Sequence, residues 1–355
     1  MNERITKVLN NMAKAHLDQI LVSAPASLRY LAGIRVAPGE RLCALLLQSD
    51  GRVRLYGNRL FALPESADYE LIEFDDTEDS VAVLSGGVRP GVLGVDKTWP
   101  SGFAVRLMEA RGDVKLALGS APVDDARMLK TADEIARMKR SSLANDRTTD
   151  RTMRALTEGE SELDVAARYS AIAKEEGGTG NSFSPLICFG PNAAEPHHDT
   201  SADRLKKGDA VILDVGLLLD GYCSDMTRTC FFGGMTDEQK KVYDIVREAN
   251  AAGRAAAKPG VPLRDIDKAA RDVITKAGYG EYFLHRTGHG IGLEVHEPPD
   301  VSASDTRITT PGMVFSVEPG IYLPGKFGVR VEDLVAVTDA GSMTLNRLDR
   351  ELASV

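Results

Sequence analysis

The chain has 355 residues, more than one ordinary domain, with 43% hydrophobic and 27% charged residues, the balance of a globular protein. Its formal charge of −9 argues against nucleic acid as a main partner, because binding phosphate needs a positive surface. The polar opening Met1–Lys7 shows no secretory leader and no apolar run is long enough for a bilayer, so a cytoplasmic protein without membrane contact is expected.

Residues 1–122 alternate two patterns. Gln19–Val22, Leu42–Leu47, Arg52–Tyr56 and Val92–Val95 read as strands, and segments around 2–15, 77–84 and 101–111 read as helices. Alternation of this kind predicts a small α/β domain, and it carries no dense cluster of catalytic residue types. Ser120–Asp125 reads as the linker, which places the second domain at 123–355. There a long helix starts at the capping box Thr131–Glu134, and another runs from near Ser161 to Gly177-Gly178. The pattern recurs with Thr236–Gln239 capping a helix that ends at Lys258-Pro259-Gly260, followed by one from Leu263 to Gly278. At an offset of 101, Gly159 aligns with Gly260, Asp164 with Asp265 and Val165 with Ile266. The alignment suggests a duplicated helix–helix–sheet unit, although glycine and aspartate recur in such turns by chance.

Each helix pair precedes a hairpin that carries acid. Asp220-Gly221 is a strong hairpin turn signal, and with it Gly216 lies opposite Asp225. Asp214 then sits diagonally on the same face, at a backbone separation of roughly 7–8 Å. A salt bridge to Arg228 or Arg204 is the bland explanation of these aspartates. A turn at Pro324-Gly325-Lys326 likewise sets Glu318 opposite Glu332, with Arg330 two residues away on that face. Gly320 and Gly328 leave room for bulges in this register. Two inward glutamates repel unless a cation or Arg330 lies between them.

Between the hairpins runs His285-Arg-Thr-Gly-His289-Gly-Ile-Gly-Leu-Glu-Val-His296. Its glycines 288, 290 and 292 suit sharp turning and close approach to a ligand. Five of the six histidines fall within residues 197–296, which places the chemistry in the second half. His289 is a natural nitrogen ligand and His285 and His296 suit proton transfer, whereas His16 and His198 read as satisfied core residues. The four cysteines, Cys43, Cys188, Cys223 and Cys230, include no Cys-x-x-Cys pair and read as reduced core filler. Four carboxylates with one imidazole form a hard donor set for Mn²⁺, Co²⁺, Fe²⁺ or Zn²⁺. Two such ions can share a hydroxide and clamp a tetrahedral intermediate, which is hydrolytic chemistry.

These segments resemble the metallopeptidases of pita-bread fold, a family that includes prolidase, Xaa-Pro aminopeptidase and methionine aminopeptidase. Leu213-Asp-Val-Gly216, Ser224-Asp-Met-Thr-Arg-Thr229, Gly288–Glu297, Val317-Glu-Pro-Gly-Ile-Tyr322 and Val329-Arg-Val-Glu-Asp333 match in order. Leu28–Ile34 resembles the family's creatinase-like N-terminal domain, which favours the Xaa-Pro branch. The resemblance implies a creatinase-like α/β domain followed by an α+β catalytic domain of pita-bread fold. It implies that Asp214 holds one metal, that His289 and Glu318 hold the other, and that Asp225 and Glu332 bridge both. Glu318 is then the candidate general base. By the same resemblance His197 is expected to contact substrate, His296 to stabilise the tetrahedral intermediate and His285 to be their neighbour. Phe183 and Val295 line a proline pocket. The implied activity is hydrolysis before proline in Xaa-Pro dipeptides, with Mn²⁺ expected first among the metals and Arg330 expected to hold the substrate's carboxylate. An Xaa-Pro aminopeptidase of longer peptides and a silent peptide-binding relative are the alternatives. A homodimer is expected, with the Ile34–Arg41 loop near the partner's site.

Overall fold

The computed structural model describes residues 2–351 and 353–355, and the chain divides into units of residues 1–127 and 128–355. In chain order the first holds α1 (Glu3–Lys14), β1 (Gln19–Val22), α2 (Pro25–Ala32), β2 (Cys43–Gln48), β3 (Val53–Asn58) and β4 (Glu70–Phe74). It continues with α3 (Ser80–Ser85), β5 (Gly91–Val95), α4 (Ser101–Ala110), β6 (Val114–Leu118) and α5 (Ala121–Met128). The strands form a mixed sheet in the order β4-β3-β2-β1-β5-β6. Every residue of β1 and β2 is buried, as expected of central strands covered on both faces. The elements missing from the sequence reading are those with weak periodicity. The edge strands β4 and β6 are half exposed, and α2 is a short helix that opens on Pro25 and stops at Gly33, where φ is 72°.

Two expectations fail in this unit. The segment read as a linker is helical, because Val123 and Ala126 fall three residues apart and bury their side chains on one face of α5. The division accordingly falls after Arg127 rather than after residue 122. His16 is no core residue either: it is exposed just past α1, in the left-handed region at φ 54°. That position ends the helix and leaves the imidazole in solvent.

The second unit opens with α6 (Ala132–Arg154) and α7 (Glu162–Glu175), each begun by a complete capping box, at Thr131 and at Ser161. The first group of strands follows: β7 (Gly180–Asn181), β8 (Leu186–Phe189), β9 (Ala210–Val215), β10 (Leu217–Leu219), β11 (Tyr222–Cys223) and β12 (Met226–Phe231). Next come α8 (Asp237–Ala256), capped by the Thr236 box, and α9 (Leu263–Lys276). The remaining strands are β13 (Gly288–Gly290), β14 (Glu297–Val301), β15 (Val314–Val317), β16 (Gly320–Leu323), β17 (Phe327–Arg330), β18 (Asp333–Thr338), β19 (Gly341–Thr344) and β20 (Ala353–Ser354). They assemble as β20-β12-β9-β8, β11-β10-β7, β14-β13-β15-β18-β19 and the ribbon β16-β17. Val165 and Tyr169 of α7 pack on Leu213 and Val215, and Val242 and Val246 of α8 pack on Ile321 and Val329. Among the described residues no helix is long and apolar enough to cross a membrane.

The four cysteines are buried, and among the described residues none forms a disulfide. Behind the last strands, the fully buried Asp333 carboxylate meets Arg228 Nη2 at 2.9 Å and Arg350 Nε at 2.7 Å, with Arg254 Nε at 3.5 Å. Arg228 also donates to the carbonyls of Leu348 and Asp349, which fastens the chain's final segment to β12 and β18.

Candidate metal centre

Both acidic hairpins have the register that their turns dictate. Asp220 and Gly221 take φ of 51° and 81°, the signs a type I′ turn needs, and Leu219 pairs with Tyr222. The same register puts Asp214 opposite Thr227 in β9–β12. Between those pairs the ladder is open at Gly216 and Asp225, and a Cβ on Gly216 would stand 2.1 Å from the Ser224 carbonyl. In the second hairpin Gly320 pairs with Arg330 and Val317 with Asp333, so Glu318 and Glu332 face each other at a break between two ladders. Gly320 and Gly328 introduce no bulge there. At the break the backbone finds other partners: Glu332 N donates to Thr227 O at 3.1 Å and Glu318 N to Thr287 O at 2.8 Å.

The central glycines do a different task from the one expected. A Cβ on Gly288 would meet Ser316 O at 1.9 Å, and one on Gly290 would meet Pro298 O at 2.3 Å. Their bareness lets β13 lie close against its neighbours, and the register slips between His289 and Gly290. His289 is thereby driven into the centre. Its Nδ1–H donates to Gly290 O at 3.1 Å, which leaves the Nε2 lone pair 3.6 Å from Asp225 Oδ2 and 3.4 Å from Glu318 Oε1.

Acceptors thus point at acceptors. Donor atoms of Asp225, His289 and Glu332 all lie within 4.8 Å of one another, and all three residues are buried. Asp225 Oδ1 and Glu332 Oε1 are buried and, among the described residues, have no hydrogen-bond partner. Burial pushes the Asp225 carboxyl well above the usual range, and Glu332 and Asp214 add repulsion. Glu332 is pushed well up in the same way, by burial and then by Glu318 and Asp214. Burial also raises Glu318 and lowers His289 to about 4, so the imidazole is neutral. An inward lone pair, crowded carboxyls and two orphaned oxygens fit divalent cations of the kind that oxygen and imidazole donors hold.

Around this core lies a cavity of about 320 Å³. Asp214, Asp225, His289, Glu318 and Glu332 line it, and so do His197, His285, His296, Phe183, Val295 and Arg330. Asp225 and Glu332 are buried, while Asp214 and Glu318 are half-buried and face the opening. His197 and His296 are exposed at the rim, and the His296 ring stands edge-on to His289 with centroids 4.2 Å apart. His198 turns away, its Nε2 3.0 Å from the buried Glu162 carboxylate, as a satisfied interior histidine does.

Two of the expected site residues are already engaged. Arg330 donates to Asp214 Oδ2 at 2.5 Å, to the Tyr322 hydroxyl at 2.7 Å and to Thr227 Oγ1 at 3.2 Å, so each guanidinium nitrogen has a partner. Its β17 position points it inward at Asp214, so it serves the acidic core first. His285 Nδ1–H donates to Arg286 O at 2.7 Å, and its Nε2 accepts from Tyr322 Oη at 2.8 Å. Arg228 and Arg204, the bland partners for the aspartates, lie elsewhere, on Asp333 and on the Gly159 carbonyl.

Several functional neighbours escape sequence reasoning. Thr227 Oγ1 donates to Glu332 Oε2 at 2.7 Å, Ser316 Oγ to Glu318 Oε1 at 3.0 Å, and Tyr322 joins His285 to Arg330. Thr227 and Tyr322 stand inside matched motifs, the one signal that could have marked them. Ser184, Pro196 and Arg286 also line the cavity, and nothing about those residue types alone marks them.

The geometry has close counterparts. Residues 4–129 match the creatinase/prolidase N-terminal domain and residues 136–339 match metallopeptidase family M24. An uncharacterised peptidase of Staphylococcus aureus (strain USA300) is 34% identical, over 98% of this chain and 99% of that protein. Among solved structures, a recombinant prolidase from Thermococcus sibiricus is 37% identical, with a TM-score of 0.94 and all of both chains covered. An X-Pro aminopeptidase from Thermotoga maritima is 30% identical, with a TM-score of 0.84 over 98% of this chain and 100% of that one. The arrangement of a creatinase-like domain before a pita-bread catalytic domain is the one expected from the motifs.

Proposed function

The chain belongs to metallopeptidase family M24, and from that premise we propose that it hydrolyses the peptide bond before proline in Xaa-Pro dipeptides at a centre of two divalent metals. The observation that carries the reading is the convergence of Asp225, His289 and Glu332 donors within 4.8 Å, with two carboxylate oxygens buried and unpaired. Asp214, His289 and Glu318 would hold the ions individually, and Asp225 and Glu332 would hold both. Bound there, divalent ions supply Lewis-acid polarisation of the scissile carbonyl and acidify an attacking water.

The chain's own groups supply the rest. Glu318, half-buried and steadied by Ser316, has a raised proton affinity that suits it to take a proton from water and return it to the proline nitrogen. His296, at the rim beside His289, is placed to donate to the developing oxyanion, and His197 to hold the substrate amide. His285 has both ring nitrogens occupied, so its part is to orient Tyr322 and, through it, Arg330. Phe183 and Val295 offer apolar walls for a rigid proline ring. The proposal includes Mn²⁺ as the native ion, a homodimeric assembly and a cytoplasmic setting. A silent peptide-binding role is disfavoured by the retention of all five ligands and of the rim histidines.

The test is turnover of Xaa-Pro dipeptides against Xaa-Pro-Yaa tripeptides by metal-stripped protein resupplied with Mn²⁺, Co²⁺ or Zn²⁺. Dipeptides cut with the higher kcat/KM, only when metal is present, are the expected result. Equal or faster cleavage of tripeptides replaces the dipeptidase with an aminopeptidase, and full activity without metal removes the metallopeptidase mechanism.

A further inference from the structure

A dipeptide ending in proline brings a free carboxylate into a cavity already walled by Asp214, Asp225, Glu318 and Glu332. Two divalent ions would balance those four carboxylates, so the substrate's added charge calls for a separate cation at the rim that holds it clear of the metal ligands. Two arginines line the cavity, Arg330 and Arg286. Arg330 is 3% exposed and gives its nitrogens to Asp214, Tyr322 and Thr227. Arg286 differs on each point. It lies at the rim with its side chain 39% exposed, and its Nη1 donates to Asp300 Oδ1 at 2.5 Å. Among the described residues no further side-chain hydrogen bond of Arg286 is present, so Nε and Nη2 are available. Asp300 is itself 51% exposed, an ion pair that water screens and a stronger ligand can share or displace. Position matters too: Asp300 pairs across the ladder with His289, so the guanidinium is tethered to the strand next to the central ligand.

We propose that Arg286 is the subsite for the substrate's C-terminal carboxylate, with Asp300 as the internal competitor that sets how tightly the subsite binds. The inference rests on the dipeptidase reading and deepens it. A carboxylate docked on Nε and Nη2 makes the bidentate contact that a guanidinium fork favours and a proline amide or an extended chain cannot reproduce. Selectivity for chains that end at proline then comes from the rim, while the acidic core and Arg330 serve the chemistry.

The experiment compares kcat/KM for Ala-Pro with that for Ala-Pro amide, in the metal-loaded wild type, Arg286→Gln and Asp300→Asn. The wild type should prefer the acid. Arg286→Gln should cut kcat/KM for the acid by roughly ten- to hundredfold, mainly through KM, and bring the acid-to-amide ratio close to one. Asp300→Asn frees the guanidinium and should raise the ratio, a change of opposite sign that general damage to the fold does not produce. If Arg286→Gln keeps the wild-type ratio, or Asp300→Asn fails to raise it, the carboxylate is bound elsewhere and the inference falls while the dipeptidase stands. A wild type that handles acid, amide and tripeptide alike overturns the dipeptidase reading itself.

Discussion

In the catalytic unit, α6 and α7 precede a hairpin bearing Asp214 and Asp225, while α8 and α9 precede one bearing Glu318 and Glu332. The backbones correspond in detail. Gly159 and Gly260 both take a positive φ, 85° and 86°, and their N–H groups donate to Leu205 O and Thr309 O, each at 2.9 Å. A fully buried asparagine from each first helix reaches the strand beside a break: Asn145 Nδ2 donates to Val215 O at 2.8 Å and Asn250 Nδ2 to Val317 O at 2.9 Å. The carboxylates themselves are handled differently. Thr227 and Ser316 hydroxyls each hold one oxygen of a glutamate, whereas Asp214 leans on Arg330; among the described residues Asp225 Oδ1 and Glu332 Oε1 alike lack a partner. A longer side chain has more rotamers to lose, and each glutamate is held by a hydroxyl close by, while of the aspartates Asp214 is held by a guanidinium from the other half. Two halves with one scaffold thus place their acids by different means, hydroxyls for the glutamates and an arginine for Asp214.

The largest test treats the halves as one site. Stripping metal should abolish turnover and lower Tm, and a divalent ion should restore both, because binding to the folded state alone stabilises it. Next, Asp225→Asn and Glu332→Gln should each remove turnover and erase the metal-induced rise in Tm read by calorimetry. If only one of the pair does so, the halves are not equal partners. Thr227→Val should weaken metal binding by roughly ten- to hundredfold, since it frees a ligand's supporting bond. A titration that shows no loss would deny the tether its part. Asn145→Ala and Asn250→Ala should each cost about 1–3 kcal/mol in urea unfolding through the carbonyls left unpaired. A large cost at one asparagine and none at the other would break the comparison. Smallest is Asp220→Asn, which removes an exposed ion pair with Arg140 and should change stability by less than about 1 kcal/mol.

Much of this half-to-half relation was legible before any coordinates. Turn chemistry at Asp220-Gly221 set one register, and the spacing about Gly325 set the other. Period-two alternation then aimed the acids inward, and the capping boxes at Thr131 and Thr236 marked where the helices begin. What stayed hidden depends on contacts far apart in sequence. Arg330 lies on the expected face, yet only the fold shows its nitrogens spent on Asp214, Tyr322 and Thr227. Gly288 and Gly290 looked like ligand-facing glycines, and the strand they accommodate is set by Ser316 and Pro298. Ser120–Asp125 carries Pro122 and two aspartates, a turn-like composition that the burial of Val123 and Ala126 overrides.

The arginine cluster on Asp333 has a consequence for how the protein comes apart. Arg228 and Arg350 join β12, β18 and the closing segment at a carboxylate adjacent in sequence to Glu332. Because the Asp333 carboxylate is fully buried, salt screens these pairs little, and residues 348–350 are held to the core. The amides of residues 348–350 should exchange with deuterium on the timescale of the core. Residues 348–350 therefore work as a latch: they come away when the catalytic unit unfolds, so protection of their amides reports on the integrity of the site.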